Sequence, residues 1–124
     1  MTEALLLICN RCRPLRSGRS GRDDTEGRRL HRELADQEGW RRRESVEVVE
    51  WECLGACDRA CAVALRAPGK FTMVLGGVST AEAAALRELT TLYARSPTGY
   101  VVRAERPTSL RRSLVANIPP EPQS

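Results

Sequence analysis

Two close pairs of cysteine constrain this chain more than any other feature. Cys9-x-x-Cys12 stands directly behind an apolar run, and Cys53-Leu54-Gly55-Ala56-Cys57 follows a second, β-branched one. A metal needs ligands that are near one another and deprotonated, and two thiolates a few residues apart in a turn can aim at one ion. Four such thiols in one small domain demand a fold that brings two loops to one place. Parallel neighbouring strands do this, because the loops at their carboxyl ends emerge on the same edge of the sheet. An iron–sulfur cluster is the expected occupant and zinc the alternative.

Cys61 is the ambiguous fifth cysteine. It alternates with Val63 and Leu65 in an apolar segment, where cysteine behaves as a small buried hydrophobe. The alternative is that Cys53, Cys57 and Cys61 act together and one early cysteine is spare. An odd number of cysteines, five, also leaves one over in any disulfide framework, which favours metal binding in a reducing compartment.

The chain has 124 residues, 41% of them hydrophobic, which fits one domain with a lean aliphatic core. The longest apolar run, Ala4 to Cys9, is too short to cross a bilayer. It lacks the basic flank and cleavage site of a signal peptide, so a cytoplasmic protein without membrane contact is expected. The net charge of +4 comes almost wholly from arginine, Lys70 being the one lysine. Those arginines are scattered among acidic residues and read as a solvated surface. A nucleic-acid face would interleave them with stacking aromatics, which are scarce here, so no nucleic-acid partner is expected.

Along the chain, Ala4-Leu5-Leu6-Leu7-Ile8-Cys9 reads as a buried strand. Asn10 to Gly27, with Pro14, Gly18 and Gly21, reads as a loop. Asp23 to Trp40 carries Leu30, Leu34 and Ala35 on one helical face, with Gly39 marking its end. Ser45 to Trp51 is β-branched and aromatic, hence a strand. Cys61 to Leu65 and Phe71 to Leu75 form a hairpin about the turn Ala67-Pro68-Gly69-Lys70. Ser79-x-x-Glu82 is a capping box before Leu86, Leu89, Leu92 and Tyr93 at helical spacing. Thr98 to Ser124 is a tail with an apolar patch at Tyr100-Val101-Val102 and a helical turn after Pro107. The order β-α-β-β-β-α implies an α/β fold with a parallel first pair and antiparallel later strands. It gives a mixed sheet of about four strands flanked by two helices.

Other candidate ligands are weaker. His31, the one histidine, sits on a charged helix beside Leu30 and reads as a solvent-edge side chain. Asp58, Glu47, Glu50 and Glu52 lie in or beside a strand and are expected to face water. A redox disulfide at Cys9/Cys12 would need its first thiol at a helix N-terminus, and Pro14, Gly18 and Gly21 break any helix there. No substrate pocket, nucleophile–base pair or phosphate loop is visible, so an accessory or carrier protein is expected rather than an enzyme.

Cys53-Leu54-Gly55-Ala56-Cys57 after a strand resembles the second ligand pair of the thioredoxin-like [2Fe–2S] ferredoxins, including the small flavoprotein-associated subunit of respiratory complex I. A longer pattern runs through Cys53 to Leu65, Pro68-Gly69-Lys70-Phe71-Thr72, Glu105-Arg106-Pro107 to Leu110-Arg111, and Ile118-Pro119-Pro120. It resembles the small bacterial family of predicted metal-binding proteins catalogued as domain of unknown function 1636, and it covers nearly the whole chain. The resemblance implies a thioredoxin-like domain over residues 1–97 with a C-terminal extension over 98–124. It implies a [2Fe–2S] cluster on Cys9, Cys12, Cys53 and Cys57, electron transfer to a protein redox partner, a link to cobalamin biosynthesis, and a homodimer, since relatives of this fold commonly pair. The respiratory relatives space the first pair more widely and tend to have proline where Cys61 stands. The closer family carries a cysteine there, so a ligand swap stays open. Four thiolates and two sulfides leave the oxidised cluster at about −2, which Arg11, Arg13 and Arg59 would offset. Zinc or cobalt held for metal delivery, and thiol–disulfide exchange, are the competing readings.

Overall fold

A computed structural model describes residues 4–9, 26–51 and 62–120. Strand β1 (Ala4–Cys9) leads, through residues outside the described set, to helix α1 (Glu26–Ala35). A short helix α2 (Glu38–Glu44) and strand β2 (Val46–Trp51) follow. The hairpin strands β3 (Val63–Arg66) and β4 (Thr72–Leu75) precede α3 (Ala83–Arg95), and strand β5 (Leu114–Ile118) closes the described chain. The sheet order is β2-β1-β3-β4-β5. β1 and β2 run parallel, and every other neighbouring pair is antiparallel.

The expected elements are present, with two additions. The helix read over Asp23 to Trp40 is broken at Asp36 and Gln37, and the second piece continues past Gly39 to Glu44. Arg41 Nε donates to the Ala35 carbonyl (2.9 Å), closing the end of α1 from the start of α2. Ser45 adopts the left-handed conformation (φ 54°, ψ 49°) that ends α2. Its carbonyl accepts from the Ala4 amide (3.0 Å), which sets the start of β2 beside the start of β1. The second addition is β5. Residues 98–120, read as an extension, supply this fifth strand on the β4 edge, with a register irregularity at Val74/Leu75.

The turn over 67–70 forms as the sequence indicates. The Lys70 amide donates to the Ala67 carbonyl (3.2 Å), and Gly69 takes φ +73°. Before α3, the Ser79 amide donates to Glu82 Oε1 (3.0 Å), one arm of the capping box. The helix proper begins after a single 3₁₀ turn, Thr80–Glu82.

The three helices pack together on one face of the sheet. Leu30 and Leu34 of α1, and Leu86, Leu89 and Tyr93 of α3, meet Leu6, Ile8, Val63, Leu65, Met73 and Leu75 of the inner strands, all fully buried or nearly so. Each such side chain contributes about 1.5–3 kcal/mol on leaving water. Register places Leu6 opposite Leu65 and Ile8 opposite Val63, so one face of three central strands is a continuous aliphatic floor. Trp40 of α2 is buried and donates from Nε1 to Thr91 Oγ1 of α3 (2.8 Å), tying the two helices. At the far end of α3, Glu44 forms a two-pronged ion pair with Arg95 (3.0 and 2.7 Å).

The segment after α3 is anchored at both ends. The Phe71 amide donates to the Thr98 carbonyl (2.8 Å), and the Gly76 amide to the Ser113 carbonyl (2.8 Å). Between them Val101 and Leu110 are buried against the core.

Candidate metal centre

The topology gathers the ends of several strands on one edge of the sheet. β1 and β2 both finish there, because they are parallel and in register, with Cys9 beside Trp51. β3 begins there, because it is antiparallel to β1, with Val63 beside Ile8. The Cys9 amide donates to the Ala62 carbonyl (3.0 Å), which fastens the start of β3 to the end of β1. Three departures of the chain are therefore neighbours, at Cys9, Trp51 and Ala62. Adjacent strands stand about 4.8 Å apart, so these positions are within one or two strand widths of one another.

Along the chain, every cysteine lies within six residues of one of those departures. Cys9 is itself one of them, and Cys12 follows it by three residues. Cys53 and Cys57 follow Trp51, and Cys61 precedes Ala62. Cys9 is the predicted ligand that the structure places, and it is completely buried. Cys12, Cys53, Cys57 and Cys61 lie outside the described residues, as do Glu52, Asp58 and the flanking Arg11, Arg13 and Arg59. Among the described residues no three His, Cys, Asp or Glu side chains form a metal-binding group. The Cys9 thiol fits the expected centre as one donor, since thiolate is the ligand of iron–sulfur clusters and of structural zinc alike.

The edge strand β2 is braced from the helical layer. His31 of α1 contacts the Val48 carbonyl through Nε2 (3.3 Å) and Glu50 Oε1 through Nδ1 (3.3 Å). The sequence reading gave His31 a solvent edge and Glu50 a water-facing role. Their side chains are 22% and 34% exposed, and they pair with each other one residue before Trp51. Such a cross-element contact leaves no trace in local spacing. Trp51 itself is 58% exposed at the very end of the edge strand.

Burial is the leading perturbation at two ionisable groups outside this edge, Tyr93 and Lys70. Burial pushes the Tyr93 phenol up to about 12, and the hydroxyl donates to the Phe71 carbonyl. Burial also lowers Lys70, whose ammonium donates to the Ala94 carbonyl (2.9 Å) at the end of α3. Arg106 departs from the surface reading given to the arginines, being 8% exposed.

A family model described as "Protein of unknown function (DUF1636)" matches residues 6–120. No curated protein matches the chain. Among solved structures, a thioredoxin-like [2Fe–2S] ferredoxin from Aquifex aeolicus superposes with a TM-score of 0.57 at 12% identity, covering 93% of this chain and 92% of that one. The fold is thioredoxin-like.

Proposed function

This chain belongs to the DUF1636 family, and on that premise we propose that it is a ferredoxin-like carrier holding a [2Fe–2S] cluster on Cys9, Cys12, Cys53 and Cys57. The observation that carries this reading is the in-register pairing of Cys9 with Trp51 at the ends of parallel strands. It sets the departure toward Cys12 beside the departure toward Cys53 and Cys57. Likeness in fold to a [2Fe–2S] ferredoxin supports the same role. Such a cluster, when bound, supplies one-electron transfer.

The protein's part is ligation, shielding and a fixed frame. Cys9 is buried and held on a main-chain rung to Ala62. β2 is held against α1 by His31, which limits movement of the strand that leads to Cys53. Cys61 is one residue from Ala62 and serves as core or as a substitute ligand. A carrier needs a protein redox partner. The arginine-rich stretch from Arg13 to Arg29 is the proposed route to one, and salt should weaken that association. Service to cobalamin biosynthesis rests on the family resemblance carried by residues 53–65, 68–72, 105–111 and 118–120. A strain lacking the protein should then require added cobalamin.

Anaerobic purification with metal analysis tests the central reading. A red-brown protein with about two irons and two acid-labile sulfides per chain is the expected result. A colourless protein with about one zinc per chain would replace it with a structural or delivery role. A metal-free protein that turns over a dithiol would make it an oxidoreductase.

A further inference from the structure

We infer that the segment joining α3 to β5 contains an oxyanion-binding site centred on Arg106, for a phosphate or carboxylate group. The inference stands apart from the cysteine reading, since it uses no residue of that edge. Arg106 is 8% exposed. Its Nε is wholly removed from solvent and, among the described residues, has no hydrogen-bond acceptor. No carboxylate of the described residues forms an ion pair with it. A buried lysine or histidine escapes such a position by losing its proton, but a guanidinium stays charged at any physiological pH. A mostly buried guanidinium with one N–H left without an acceptor is a costly arrangement for a fold to keep. Keeping one is explained if an anion completes it.

The surrounding loop is fixed by its own hydrogen bonds. The Arg106 amide donates to the Arg103 carbonyl (3.2 Å), and the Leu110 amide to the Pro107 carbonyl (2.9 Å), giving two consecutive tight turns with Arg106 between them. Arg111 reaches back across both, from Nε to the Arg106 carbonyl (3.3 Å) and from Nη2 to the Ala104 carbonyl (3.2 Å). Leu110, fully buried, pins the second turn to the core. Residues 103–112 carry four arginines against one glutamate, and Glu105 is exposed rather than turned inward. The local field is therefore positive. The planar fork of a guanidinium matches two oxygens of a carboxylate or phosphate.

The full chain is titrated with sodium phosphate, sodium acetate and sodium chloride at matched ionic strength. Thermal unfolding and the ¹H–¹⁵N resonance of the Arg106 Nε–H group are followed together. A saturable rise in Tm of about 5 °C at ten times Kd is expected for an oxyanion and not for chloride, with saturable movement of that resonance. Arg106→Gln should abolish the rise, and Arg106→Lys, which also assigns the resonance by losing it, should weaken it. Response to phosphate alone identifies a phosphoryl ligand, and response to acetate alone a carboxylate one. If all three salts act alike, or the resonance stays fixed in every salt, no oxyanion reaches the Arg106 Nε–H and the inference is overturned. The wild-type resonance decides the matter even where a variant fails to fold.

Discussion

Cys9 and Trp51 stand side by side as the last residues of two parallel strands, one wholly buried and the other 58% exposed. Register puts both side chains on the face of the sheet opposite Leu6 and Ile8, the thiol buried and the indole exposed. Cys9→Ser nearly preserves shape, so circular dichroism should be unchanged. Bound iron and sulfide should nevertheless fall. Loss of an outer-shell partner already costs roughly 10–100-fold in metal affinity, and loss of a ligand should cost more. Cys61→Ser should retain the metal if Cys61 is core. Full iron content in the Cys9 variant would remove Cys9 from the ligand set.

The Trp40–Thr91 hydrogen bond joins α2 to α3. Trp40→Phe should cost about 1 kcal/mol for the lost bond, and Trp40→Ala about 3–5 kcal/mol because a buried ring is removed. Urea unfolding of Trp40→Phe, Thr91→Val and the double variant should give a coupling near 1 kcal/mol. Additive losses would show that the bond contributes nothing.

Gly99 and Gly69 both adopt positive φ, +76° and +73°, yet differ in their surroundings. A methyl group at residue 99 would come within 2.7 Å of Lys70 Cβ and 2.9 Å of Tyr93 Cε2, while one at residue 69 meets nothing within 4 Å. Gly69→Ala should cost about 1 kcal/mol, the backbone term alone. Gly99→Ala should cost about 3 kcal/mol, because rigid core atoms must shift. Equal losses in Tm would refute the steric contribution.

Tyr93 is raised to about 12 by burial, so the folded state favours the protonated phenol. Its contribution is fully present below the unfolded value near 10 and declines as pH climbs through about 12. Absorbance at 295 nm should show one component near 12 that Tyr93→Phe removes. The same variant should flatten the alkaline fall in stability.

Glu44 behaves in the opposite sense. Its hydrogen bonds and charge interaction with Arg95 and Arg43 hold its carboxyl below 4.5, and its side chain is 5% exposed. The contribution is present above the unfolded pKa and disappears as acid protonates the folded carboxylate. Between pH 7 and pH 3, Glu44→Gln should lose less stability than the wild type. Identical acid profiles would show that the pair is energetically silent.

The strands and helices that were legible in the sequence owe this to strong local patterns. Ala4–Cys9 and Val46–Trp51 are dense in branched side chains, and Leu86, Leu89 and Tyr93 repeat at helical spacing. β5 was not legible. Leu-Val-Ala-Asn-Ile is short and mixed, pairs with one neighbour, and leaves Val115 and Ile118 about half exposed. The break between α1 and α2 was also hidden, because it depends on Arg41 reaching the Ala35 carbonyl, a contact without a local signature. At the site, spacing pointed to paired loops, and the parallel register of β1 and β2 supplies the shared edge. Arg106 was misjudged because burial of a charged group is decided by distant packing, which composition around it does not encode.

If Cys9 holds a cluster as proposed, its rung to Ala62 limits how that centre's potential could be adjusted. Amide protons pointing at sulfur are a principal means of tuning thiolate-bound clusters. The proton on residue 9 is already directed at oxygen, so a sulfur ligand there receives no such stabilisation from its own amide. The electrochemical character of that half of the proposed centre would then have to be set from elsewhere.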